Sequence, residues 1–104
     1  MAPNLETEIK EICINLYVKL RGNRGGDGNA LIDHDLIQHL HTTLDAYKES
    51  NHKEEMVSKE LVWYLFYTCS RFYIQSKYSR NTVDLMKEFD KLNYKLLRIF
   101  DYEN

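Results

Sequence analysis

The stretch that decides the fold is LVWYLFYTCSRFYIQSKYSRN, residues 61–81, because it holds more aromatic rings than one buried helix face requires. Helical spacing predicts a core side with Val57, Leu61, Tyr64, Leu65, Thr68 and Phe72. The opposite side holds Val62, Trp63, Phe66 and Tyr73. These two apolar sides predict either a central helix covered by neighbouring helices and chain ends, or an exposed aromatic patch for a partner or for self-association.

The chain after this stretch is rich in basic residues. Residues 71–100 carry seven Lys and Arg against three Asp and Glu, a local charge of +4 in a chain whose formal net charge is -2. Four cations recur every three or four positions and therefore share one helix face: Lys87, Lys91, Lys95 and Arg98. We call these four residues the basic row.

Two interpretations of the basic row stay open. It is either a solvated face paired with Asp84 and Glu88, or an electrostatic docking surface for acidic protein groups or the cytoplasmic lipid leaflet. In the second interpretation, three more cations extend it at the preceding turn: Arg71, Lys77 and Arg80.

Apolar periodicity predicts helices along the whole chain and no strand. The first runs from about Leu5 to Leu20 after Asn4 as N-cap. The second begins at Asp33 as N-cap, with Ile32 and Ile37 at the spacing of a hydrophobic staple, and its apolar face holds Leu36, Ile37, Leu40, Leu44 and Tyr47.

The third helix is predicted from about Glu55 to Ser76, and the fourth from about Arg80 to Phe100 with Ser79 or Asn81 as cap. The fourth has one broad apolar face, made of Leu85, Met86, Phe89, Leu92, Leu96, Ile99 and Phe100. Four such amphipathic segments predict an all-α fold: an antiparallel up-down four-helix bundle forming a single domain over residues 1–104.

Several classes of function are disfavoured by the residues. Cys13 and Cys69 lie among apolar residues and are predicted to be reduced core thiols. His34 and His41 share a helix face without a Cys or acidic group at metal-ligand spacing, so surface histidines are expected and no metal or cofactor. The glycine-rich residues 22–29 lack the ending of a phosphate loop, and no catalytic triad or acid pair is visible. We expect no enzyme.

The expected location is the cytoplasm. The acidic start MAPNLETEIKE has no apolar export region, and the longest apolar run, residues 61–69, is too short to span a bilayer. Nucleic acid is not an expected partner, because an acidic chain without a recognition-helix pattern has little to offer phosphates.

Three segments together resemble a known family: EICINLYVKL at residues 11–20, DLIQHLHTTLDAYK at 35–48, and LVWYLFYTCSRFYIQSKYSRN at 61–81 before a Leu-rich last helix. The chain resembles, over about residues 9–97, the enterocin A type immunity proteins of class IIa (pediocin-like) bacteriocins. It departs from them in the glycine-rich connector of residues 22–29.

The resemblance implies a cytosolic four-helix bundle that protects a Gram-positive cell from a pore-forming peptide. In that family, protection comes from engaging the bacteriocin bound to the membrane components of the mannose phosphotransferase system, and the C-terminal half is linked to which peptide is recognised. Such a protein works close to the membrane, as a monomer or weak dimer. The predicted partner-binding residues of this chain are Trp63, Phe66, Arg71, Tyr73, Lys77, Arg80, Lys87, Lys91, Lys95 and Arg98.

An alternative from another class remains. A small helical regulatory or adaptor protein of phage or plasmid origin, dimerising through Trp63 and Phe66, would also place aromatic rings on an outer helix face.

Overall fold

A computed structural model describes residues 4–20, 28–51 and 56–101 and contains only helices in those ranges. The described helices are α1 (Leu5–Leu20), α2 (His34–Asn51), α3 (Lys59–Ser76) and α4 (Thr82–Ile99). The predicted all-α, four-helix fold is therefore confirmed.

Side-chain caps fix where three of the helices begin. The Thr7 backbone N–H donates to Asn4 Oδ1 at 3.1 Å, and the Leu36 N–H donates to Asp33 Oδ1 at 3.0 Å. Both predicted N-caps are thus confirmed. The Lys19 side chain, 2.6 Å from Asp33 Oδ2, and the Leu36 N–H hold the pKa of Asp33 below its ordinary value.

The start of the third helix was predicted too early. The helix begins at Lys59, because the Ser58 hydroxyl accepts the Leu61 backbone N–H at 3.2 Å and so caps its first turn. Val57, predicted in the core, lies before the helix and is 41% exposed. Glu55, the predicted first residue, lies outside the described residues.

Asn81 occupies the N-cap position of α4, but its side chain makes no cap hydrogen bond. Its amide instead bonds to Ala30 twice: Oδ1 accepts the Ala30 N–H at 2.9 Å, and Nδ2 donates to the Ala30 carbonyl at 3.0 Å. The predicted cap position at Asn81 is therefore confirmed, although its side chain does not cap the helix. The residue ties the segment before α2 to the start of α4.

Consecutive helices pair into two antiparallel hairpins. In the first, Lys19 near the end of α1 bonds to Asp33 before the start of α2, whereas Glu8 lies 2.8 Å from His39 farther along α2. In the second, the Ser76 hydroxyl at the end of α3 meets Met86 near the start of α4.

The two hairpins pack side by side, with equivalent helices parallel. The early residues Lys10 of α1 and Glu60 of α3 form an ion pair at 3.2 Å, and the later Tyr17 and Tyr67 rings meet at 4.8 Å. α2 lies along α4 and packs less closely than the other neighbours, and within the described residues α2 does not contact α3. The helices follow one another around the bundle as α1, α2, α4, α3, with the chain running up and down as predicted.

All four helices contribute to one core. The side chains that lie wholly inside it include Ile9, Leu16, Leu40, Leu44, Leu61, Leu65, Phe72, Leu85 and Leu92. Cys13 and Cys69 are free thiols buried among them, as predicted, and burial raises the pKa of each to about 11.

Candidate functional site

The aromatic rings of α3 form a surface that reaches α1. Trp63 stacks on Tyr67 with ring centroids 4.9 Å apart and planes 6° from parallel, and Tyr67 meets Tyr17 of α1 edge to face at 4.8 Å. Phe66 follows Trp63 by three residues, about one helical turn, and so lies on the same outer side of α3. We call Tyr17, Trp63, Phe66 and Tyr67 the aromatic surface.

Exposure separates the two sides of α3. Trp63 and Phe66 are each 54% exposed, whereas Leu61 and Leu65 are fully buried. The described part of the chain therefore leaves both large rings open to solvent. Next to the aromatic surface, α1 also exposes Ile14 and Val18, which lie one turn apart.

A second group of predicted site residues lies near the end of α3 and the turn to α4. The Lys77 ammonium lies 4.8 Å from the centre of the Tyr73 ring, a cation–π contact, and Tyr73 also packs against Phe89 of α4. The Arg71 guanidinium donates to Gln75 Oε1 at 3.3 Å. These contacts hold three predicted side chains in place while Tyr73 and Lys77 stay exposed.

Arg80 serves the fold as well as the surface. Its backbone N–H donates to the Gly28 carbonyl at 2.7 Å, and its side chain lies against the Gly28 backbone. Gly28 has a φ of 89°, and a Cβ there would lie 2.9 Å from Arg80 Cδ, so this position needs glycine.

The basic row divides into paired and unpaired cations. Lys95 Nζ lies 2.5 Å from Asp45 Oδ1 of α2, and Lys91 Nζ lies 3.6 Å from Glu88 Oε1. Lys87 and Arg98 are exposed and have no ion-pair partner within the described ranges. Lys91 and Lys95 lie on the flank of α4 that faces α2.

The aromatic surface and the basic row lie on different sides of the bundle. The rings join α3 to α1, whereas Lys95 joins α4 to α2, and α2 does not contact α3 in the described structure. The structure therefore divides the predicted partner-binding residues between an aromatic side, a cation flank and the α3–α4 turn that lies between them.

The flank between α2 and α4 contains a groove of about 370 Å³. One interpretation of the basic row pairs it with Glu88 on a solvated face. The pair with Lys91 is present, but Glu88 is only 5% exposed and lines the groove. The sequence did indicate that Glu88 is buried, because it falls at helical spacing between the buried residues Leu85 and Leu92.

The histidines of α2 differ in their surroundings. His34 and His39 are exposed, as predicted, whereas His41 is half-buried in the groove. Burial lowers the pKa of His41, and the nearby Lys95 and Lys91 ammoniums lower it further. Over residues 4–20, 28–51 and 56–101, no three His, Cys, Asp or Glu side chains are placed to hold a metal ion.

None of the helices in the described ranges combines the length and the apolar character needed to cross a bilayer. Comparisons of the chain with models of protein families, with curated proteins and with solved structures find no match.

Proposed function

We propose that this protein is a bacteriocin immunity protein that acts in the cytoplasm of a Gram-positive cell. It engages a pediocin-like peptide bound to the membrane components of the mannose phosphotransferase system, and it catalyses no reaction. The observation that carries the proposal is the exposed pair Trp63 and Phe66, which lies within the segment LVWYLFY on which the family resemblance depends most.

Exposed rings of this size favour an interaction function. Trp63 and Phe66 expose 54% of their surface although the other side of the same helix is fully buried. Trp and other aromatic residues supply a large contact area at a small cost in side-chain entropy. They are enriched at protein interfaces, and Trp is among the residues that dominate binding energy. Stacking on Tyr67 holds the Trp63 ring in a defined orientation before any partner binds.

The unpaired cations support a role beside the membrane. Lys87 and Arg98 are available for acidic groups of a receptor or for anionic lipid headgroups, which attract exposed basic residues by roughly 1 kcal/mol each. In this proposal the rings supply the desolvated contact and the cations supply attraction and orientation.

Membrane co-sedimentation tests the proposal. Purified protein is mixed with membranes from a bacteriocin-sensitive Gram-positive strain, with and without an added pediocin-like peptide. We expect retention on the membranes only when the peptide is present. A double variant, Trp63→Ala with Phe66→Ala, should lose retention, whereas Leu97→Ala, which removes another exposed apolar side chain, should keep it. Equal retention of all three proteins would contradict the assigned surface.

Self-association through the same rings is the second candidate, because Ile14 and Val18 add exposed apolar area beside them. Sedimentation velocity distinguishes the two. A monomer at micromolar concentration leaves the aromatic surface free for a receptor, as we propose, whereas a tight dimer with buried Trp63 would make it an assembly surface of an adaptor-like protein.

A further inference from the structure

The groove between α2 and α4 is lined by both polar and apolar side chains, and the proposed function does not use it. Its lining residues are His34, Ile37, Gln38 and His41 of α2 and Glu88, Lys91, Tyr94 and Lys95 of α4. It exists because α2 packs less closely on α4 than the other neighbouring helices pack on each other. Its volume of about 370 Å³ is in the range of sites for small ligands.

Glu88 is the unusual member of this pocket. The residue is 95% buried, and its Oε1 atom has no hydrogen-bond donor within the described residues. The nearest cation, the Lys91 ammonium, lies 3.6 Å from Oε1, which is close enough for an ion pair but too far for a hydrogen bond. Oε1 itself is almost wholly covered, but the residue lines the groove, and a buried carboxylate with an unused acceptor favours a donor at this wall.

The other charges of the pocket restrict what that ligand can be. Lys91 and Lys95 lie on the same wall as Glu88, one turn apart. A ligand that is only cationic would be repelled by the Lys91 ammonium, whereas Asp45 partly offsets the charge of Lys95. Burial lowers the pKa of His41 first, and these two ammoniums lower it further. A ligand that is only anionic would be repelled by Glu88. A molecule that carries one positive and one negative group finds an oppositely charged side chain in the groove for each group.

We propose that the α2–α4 groove binds a small zwitterion of the amino-acid or short-peptide type. Its ammonium group donates to the Glu88 carboxylate, and its carboxylate accepts from Lys91. An ammonium has three donors, so one can reach Glu88 while others meet neighbouring acceptors. This proposal does not depend on the immunity function, because it uses residues outside the aromatic surface.

Chemical-shift titration of the full ¹⁵N-labelled chain tests the proposal with four probes. L-leucine represents a free amino acid and glycyl-L-leucine a short peptide. N-acetyl-L-leucine lacks the ammonium group, and L-leucinamide lacks the carboxylate. We expect saturable shifts at Gln38, His41 and Lys91 with one or both zwitterions, and the tighter of the two identifies the source of the ligand. Each singly charged analogue should bind at least tenfold more weakly.

Two variants complete the experiment. Glu88→Gln removes the charge with little change in volume and should weaken zwitterion binding at least tenfold. Lys87→Gln, on the same helix and outside the groove, should leave binding unchanged. Absence of saturable shifts with both zwitterions would overturn the proposal, and so would equal binding of N-acetyl-L-leucine. If the Glu88 variant does not fold, the affinities of the unaltered protein for the zwitterions and for the singly charged analogues still test the proposal.

Discussion

Lys95 on α4 and Asp45 on α2 form an ion pair, with 2.5 Å between Nζ and Oδ1, that joins the two least closely packed neighbours of the bundle. The side chain of Lys95 is accordingly only 25% exposed, although the residue belongs to a row of cations that sequence spacing places on one face. The basic row therefore contains one cation that holds α4 to α2, whereas Lys87 and Arg98 are exposed and have no ion-pair partner among the described residues.

The unpaired cations should matter for protection and not for stability. Replacing Lys87 and Arg98 with Gln should change the free energy of unfolding by no more than about 0.5 kcal/mol, because neither side chain has an ion-pair partner in the described structure. Survival of cells expressing the variant under bacteriocin challenge should nonetheless fall. Lys59→Gln removes an exposed cation at the start of α3 and is the matched control. Full survival with the double variant would make the row a solvated face.

Asn81 should stabilise the fold through Ala30. Asn81→Ala removes two hydrogen bonds and leaves the buried Ala30 backbone without them, so we expect a loss of about 1–3 kcal/mol in the free energy of unfolding. Asn81→Asp keeps an oxygen that accepts the Ala30 N–H, but it places a second oxygen where Nδ2 donates to the Ala30 carbonyl, so it should destabilise the fold as well. Urea denaturation measures both, and unaltered stability of either variant would argue against the described bonds.

The two sides of α3 should respond differently to truncation. Leu61→Ala empties a fully buried position and should cost roughly 2–5 kcal/mol. Trp63→Ala removes a half-exposed ring and should cost only about 1 kcal/mol. The single tryptophan also provides a direct readout, since its fluorescence should be readily quenched by acrylamide. A Trp63 shielded from acrylamide, or a larger loss from Trp63→Ala than from Leu61→Ala, would contradict the exposed aromatic surface.

The two thiols should be inert in the folded protein. Burial raises the pKa of Cys13 and Cys69 to about 11, so Ellman's reagent at pH 8 should label them slowly in buffer and rapidly in denaturing urea. A raised pKa favours the protonated thiol in the folded state. The contribution of the two thiols to the free energy of unfolding should therefore be constant below about pH 9, the ordinary thiol value, and fall as the pH rises from there towards 11. Fast labelling in buffer would show that the thiols are accessible.

Periodicity predicted most of the fold correctly. The ends of α4 lie within two residues of the prediction, because Leu85, Leu92 and Leu96 repeat regularly across the whole helix. The start of α3 was missed because the charged segment before Lys59 has no apolar repeat that marks a boundary. There the hydroxyl of Ser58, a single side chain, decides where the helix begins.

The tertiary arrangement could not be predicted in this way. Asn81 has the residue type and position of a helix cap, yet its partner Ala30 lies 51 positions earlier in the chain. The spacing of the basic row identified one helix face, but only the packing of α4 beside α2 shows that Lys95 is committed to Asp45. The burial of Glu88 was missed because a charged residue type suggests exposure, whereas its position between the buried Leu85 and Leu92 indicates the core side.

Survival of a bacteriocin-sensitive lactic acid bacterium that expresses this protein tests the central claim most directly. Cells carrying the gene or an empty vector are challenged with a broad panel of pediocin-like peptides, and surviving colonies are counted. We predict that the protein raises survival against at least one peptide and that Trp63→Ala with Phe66→Ala abolishes this gain while the variant remains folded. Equal survival of expressing and empty-vector cells across the whole panel would contradict the immunity function.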